Sequence, residues 1–182
     1  MKRLQAFLLI TLAGWPSSLA WAADARSIDS FLGRWSGDKI QSGDNKLAPA
    51  ALDLQIDKDA GGFAISWHDL GKDGGDRVEA RFQPTDRPGV YEVAPESGSF
   101  LARMFASPAS GNPLKGETLL WARIDDPVLA VYSMSVDPTG GIDLQHYTWT
   151  RTENGLHLTF SHRTDDDGDE SPIEGDLVAA GG

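Results

Sequence analysis

The chain has 182 residues, 40% of them hydrophobic, which suits one cored domain and is too many for a wholly disordered chain. Acidic residues number 27 against 16 basic ones, a formal net charge of -11, so there is no basic surplus for nucleic acid or for an anionic membrane surface. Cysteine is absent, which excludes disulfides, thiolate metal sites and a cysteine nucleophile.

Residues 1–22 read as a secretory signal. Lys2 and Arg3 form a positive start, and Leu4 to Ala13 form an apolar run too short to span a bilayer, which takes roughly 20 helical residues. Pro16 breaks the run, and Ala20-Trp21-Ala22 offers small residues where signal peptidase reads, so cleavage after Ala22 is expected. The mature chain, 23–182, would be more acidic still, and it contains no second long apolar segment. A periplasmic or secreted location follows, with one domain over 23–182 and an acidic loop near 164–176.

After the signal, Ser27 to Leu32 is the one candidate helical turn, with Ser27 as its N-cap. From there the pattern alternates with period two. Leu52, Leu54 and Ile56 alternate with Asp53, Gln55 and Asp57; Phe63, Ile65 and Trp67 with Ala64, Ser66 and His68. Val78, Ala80 and Phe82 follow the same rule, as do Leu156, Leu158 and Phe160. Such alternation places an apolar row on one face of a strand and a polar row on the other, as in antiparallel sheets with one wet face. Strands are expected near 35–41, 51–58, 62–68, 76–83, 89–94, 99–105, 117–124, 128–136, 142–151 and 155–163, with a short last run at 173–179. Turn residues separate them: Asp59-Ala60-Gly61-Gly62, Asp86-Arg87-Pro88-Gly89, Asp125-Asp126-Pro127, Asp137 to Gly141, and the hairpin signal Asn154-Gly155. Residues 106–116 form the longest loop. Many strands without crossover helices mean an all-β sandwich or barrel. The short connections favour an up-and-down antiparallel barrel of about ten strands.

Phe31-Leu32-Gly33-Arg34-Trp35-Ser36-Gly37 runs from the helical turn into Gly-x-Trp at the head of the first strand. This resembles the opening of lipocalin-like (calycin) barrels, and Gly33, Trp35 and Gly37 are also similar to the opening of nitrobindin-type haem barrels. The calycin resemblance implies that Trp35 packs across a closed barrel end, with a late arginine, Arg151 or Arg163, stacked on it. It also implies a Thr-Asp-Tyr-type loop motif, which Val136-Asp137-Pro138 does not match. It further implies a binding module enclosing one small ligand.

The aromatics available to line a lumen are Trp67, Phe82, Trp121, Tyr132, Tyr147 and Trp149. If Trp121 faces inward, Arg123 does too, and a buried guanidinium would fix a ligand carboxylate, by analogy with fatty-acid-binding barrels. If Leu120, Ala122 and Ile124 face inward instead, Arg123 is solvated. Arg103, between Leu101 and Phe105, has the same two readings.

His157 and His162 are five apart on one strand, so they face opposite sides and cannot chelate together. In the run Asp165-Asp166-Asp167-Gly168-Asp169-Glu170, a calcium-loop alignment puts Arg163 at the first ligand position, which disqualifies it. No nucleophile elbow occurs, and Lys115 precedes Gly116 where a phosphate loop needs the reverse order. The expected function is therefore non-enzymatic binding of a small hydrophobic or amphipathic molecule, with no cofactor and no metal. The alternative is a protein-interaction or inhibitor module with a filled barrel.

Overall fold

The computed structural model of the protein describes residues 27–43, 47–68, 70, 77–94, 111–165, 168–169 and 171–181. Within them the strands are β1 (Gly33–Gln41), β2 (Leu47–Asp59), β3 (Gly62–His68), β4 (Arg77–Pro84), β5 (Val90–Val93), β6 (Leu119–Asp125), β7 (Val128–Val136), β8 (Ile142–Arg151), β9 (Leu156–Thr164), β10 (Gly168–Asp169) and β11 (Ile173–Ala179). Each of β1 to β9 pairs antiparallel with the next, β11 pairs with both β9 and β1, and the ring closes as a ten-stranded up-and-down barrel. The two-residue β10 adds to the free stretch of β9 beyond β11.

The alternation read in the sequence becomes the inside and outside of this barrel. Leu52, Leu54 and Ile56, then Phe63, Ile65 and Trp67, then Val78, Ala80 and Phe82 all belong to one buried core, joined by Leu156, Leu158 and Phe160. β2 begins at Leu47, earlier than the alternation indicates, because Leu47 to Pro49 follow the register of Lys39 to Gln41. Pairing to a neighbour extends a strand where the side-chain pattern is silent. β5 is shorter than expected, Val90–Val93. The strand expected at 99–105, Arg103 and the signal segment lie outside the described residues.

The N-terminal turn forms as a 3-10 helix, Ile28–Phe31, whose Ser27 hydroxyl accepts a hydrogen bond from the Asp29 amide at 3.2 Å. Phe31 is fully buried beneath it, and the Trp35 indole N–H donates to the Phe31 carbonyl at 3.0 Å. The two glycines around Trp35 have separate reasons. Gly33 has φ +124°, open to glycine and strained for any other residue. At Gly37 a Cβ would strike the carbonyl oxygen of Asp176, so the close passage of β1 past β11 requires its absence. The register of β1 shifts beside Gly37 on both of its neighbours, a bulge that bends the strand around the barrel.

Candidate functional site

The two barrel ends are built differently. At one end lie the tight connections Ala60-Gly61, 85–89, Asp126-Pro127 and 152–155, and the 3-10 turn carrying Phe31. At the other, the connections 42–46, 69–76, 94–118, 137–141 and 165–172 leave the strands. The first is a capped end and the second a loop end. At the capped end a hollow of about 310 Å³ lies between the 3-10 turn and the Ala60-Gly61 turn, lined by Asp29, Lys58 and Asp59.

Three of the aromatics expected to line the lumen meet in the barrel interior. Trp67 on β3 and Tyr147 and Trp149 on β8 come from strands that are not neighbours in the sheet. The ring centroids of Trp67 lie 5.5 Å from Tyr147 and 6.0 Å from Trp149, both edge-on, and Tyr147 stacks on Trp149 at 5.8 Å. Phe160 adds a tilted contact to Tyr147 at 4.6 Å. The cluster therefore spans the lumen and forms a floor. Phe82 is buried lower in the same core, against Phe63 at 5.1 Å. The backbone N–H of Leu70, just past β3, donates to the Tyr147 hydroxyl at 3.0 Å.

Above this floor the inward positions turn polar. The register aligns Leu120, Ser133, Gln145 and His162 in one layer across β6 to β9, with Asp143 one step nearer the rim. His162 is 4% exposed, and its Nε2 lies 3.3 Å from an Asp143 carboxylate oxygen. The Trp67 indole is 4% exposed, and its N–H has no acceptor among the described residues. A buried donor without a partner is costly, and this one belongs to the aromatic floor. The described lumenal residues offer an apolar surface, an indole N–H without an acceptor among them, an amide, and an imidazole beside a carboxylate. That set can bind a flat or elongated apolar body with a polar end.

Trp121, Arg123 and Tyr132 are not part of it. On β6 the buried positions are Leu120, Ala122 and Ile124, so Trp121 and Arg123 point outward, which corrects the inward reading of this strand. Arg123 is 62% exposed and bonds the Asp125 carboxylate at 3.2 Å. The reason is the register: Trp121 aligns with Tyr132, and Tyr132 alternates with the buried Leu129, Val131 and Ser133. Tyr132 therefore does not approach a lumen site from the next strand. The two candidate faces of β6 are nearly equal in apolarity, and only its neighbours decide between them. Arg151, one of the two arginines expected to stack on Trp35, instead pairs with Asp126 at 3.2 Å.

Sequence reasoning passed over Ser133, Gln145, Asp143 and His162 as site residues. The parity of His162 with Leu156, Leu158 and Phe160 was a usable signal for an inward histidine. His157, as its parity required, faces outward and meets Asp176 at 2.8 Å. Asp137 organises the β7–β8 turn. One of its carboxylate oxygens accepts from the Thr139 and Gly141 amides and the Thr139 hydroxyl, which holds the carboxyl below the usual range. Among the described residues no group of three or more His, Cys, Asp or Glu side chains could hold a metal ion. Two hollows on the outer surface, about 310 Å³ beside Ser27 and Lys58 and about 230 Å³ beside Lys39 and Asp176, lie away from the lumen.

The fold is similar to that of a protein of unknown function from the DUF3598 family of Nostoc punctiforme, with a TM-score of 0.52 and 13% identity. The likeness covers 85% of this chain and 49% of that one, so this chain spans about half the length of its neighbour. A lipocalin-like barrel fits this fold. No family model matches the sequence, and no curated protein matches it.

Proposed function

We propose that this chain is an exported, non-enzymatic binding protein that takes a small hydrophobic or amphipathic molecule into the loop end of its barrel. One observation carries the reading: the buried Trp67 N–H, without an acceptor among the described residues, at the edge of an aromatic floor. Barrels of about eight strands have interiors that side chains fill or that hold one small ligand, and the diameter grows with strand number. The polar end of that ligand accepts a hydrogen bond from Trp67, in place of the salt bridge that an inward Arg123 would have made. Export follows from the signal-like residues 1–22, and the mature N-terminus is Ala23.

Native mass spectrometry of protein purified from its own cell envelope tests the reading. A co-purifying small molecule that is lost in Trp67→Phe supports it. Its absence, together with no quenching of tryptophan fluorescence by a fatty-acid-like probe, overturns it. That outcome favours the second reading, a protein-interaction or inhibitor module with a filled barrel, for which the observation is the same ring cluster spanning the lumen. N-terminal sequencing of the exported form tests the processing step.

A further inference from the structure

The inward positions near the loop end can be followed strand by strand on β7, β8 and β9. On β8 the parity that buries Tyr147 and Trp149 also turns Gln145 and Asp143 inward. On β9 the parity of Leu156, Leu158 and Phe160 does the same for His162, and on β7 that of Leu129 and Val131 does it for Ser133. Ser133 and His162 are buried. Asp143 is half exposed, one step nearer the rim than Gln145, with a carboxylate oxygen 3.3 Å from Nε2 of His162. Ser133 and Gln145 carry no charge. Among the described residues at the loop end of this wall, the inward side chain with a fixed charge is therefore Asp143, and its charge is negative.

Two consequences follow for a head group that enters by the loop end. A carboxylate would leave water for a wall that already holds one, and like charges in a partly desolvated site repel. The donor inside, the Trp67 N–H, is neutral and has no acceptor among the described residues. One hydrogen bond from it satisfies a carbonyl or ester oxygen, whereas a desolvated carboxylate needs a counter-charge or several donors. Arg123, the cation that an inward β6 face would have supplied, points outward and pairs with Asp125.

We propose, resting on the lumenal reading above, that the barrel takes its amphipathic ligand in uncharged form. The class is an apolar body ending in a neutral carbonyl or ester oxygen, and the corresponding carboxylic acid is disfavoured. Trp67 supplies the hydrogen bond and Asp143 the discrimination. Selectivity of this kind is a difference of affinities, reached through a repelling charge as much as through an attractive contact.

Methyl decanoate and decanoate share a chain and differ in the charge of the head, so they are the probes, titrated near neutral pH against the tryptophan fluorescence of the exported protein. Both should quench, the ester with affinity about tenfold higher than the carboxylate. Asp143→Asn keeps the side-chain shape and removes the charge. It should leave the melting curve and the ester affinity in place and bring the carboxylate to within about threefold of the ester. Trp67→Phe should weaken the ester about tenfold, the loss of one hydrogen bond, with Trp149 as the remaining reporter in the ring cluster. Equal or tighter binding of the carboxylate in the native protein overturns the uncharged class and leaves lumenal binding standing. A gap that persists unchanged in Asp143→Asn overturns the part given to Asp143. Binding of neither probe overturns the lumenal reading itself, and this inference with it.

Discussion

Arg123 and His146 show how one residue's role turns on which wall it occupies. Arg123 pairs with Asp125 in the open, where exposed ion pairs contribute little. Arg123→Leu should therefore shift stability by less than about 0.5 kcal/mol and leave uptake of a lumenal ligand unchanged, as urea melts and a fluorescence titration would show. A ligand whose binding fell with this substitution would place its polar end outside the barrel. His146 makes a different prediction. Burial depresses its pKa below the ordinary 6.5, so as pH falls through that value the unfolded chain takes a proton that the folded chain refuses. Stability is lost from about pH 6.5 down to the depressed folded value and not above it. The drop in urea midpoint between about pH 7.5 and pH 5.5 should be smaller in His146→Gln than in the native protein; an equal drop would show that His146 does not titrate in this way. Neither role was legible in the sequence, because parity within a strand gives two faces and does not say which one is inside.

Elements fared better, since period-two alternation is a local property of the chain. The turn chemistry at Ala60-Gly61 and Asn154-Gly155, the capped turn at Ser27 and most strand limits follow directly from it. The Gly33-x-Trp35-x-Gly37 opening was legible as a motif, but its mechanics were not. Gly37 matters because β11, well over a hundred residues later, lays the Asp176 carbonyl where a side chain would begin. Gly37→Ala should accordingly cost about 1–3 kcal/mol, the usual range for forcing an atom into filled space, with urea denaturation as the measurement. A neutral result would mean that β1 and β11 part readily at that point.

At the scale of the molecule, closure rests on the last strand. β11 fills the gap between β9 and β1, and without it two long strands lose a partner on one side. A chain ending at Pro172 should lose its cooperative thermal transition and its near-ultraviolet circular dichroism, while Arg123→Leu keeps both. Retention of a sharp transition would show that the remaining strands close on themselves. Because closure joins residues near 35 to residues near 179, it pairs distant segments, and folding should be slow for a chain of this size.

Composition, alternation and turn residues were enough to establish an acidic, cysteine-free, all-β chain of about ten antiparallel strands, because each depends on a few neighbouring residues. They also named Trp67, Tyr147 and Trp149, together with Phe82, Trp121 and Tyr132, as aromatics able to line a lumen. What only the tertiary structure decided was the sense of each ambiguous strand. The register to β7 turned Trp121 and Arg123 outward, brought His146 under Tyr132, and set His162, Gln145 and Ser133 above the aromatic floor. Inside and outside are properties of the closed ring. A strand with two similar faces learns which is which only from the strands on either side.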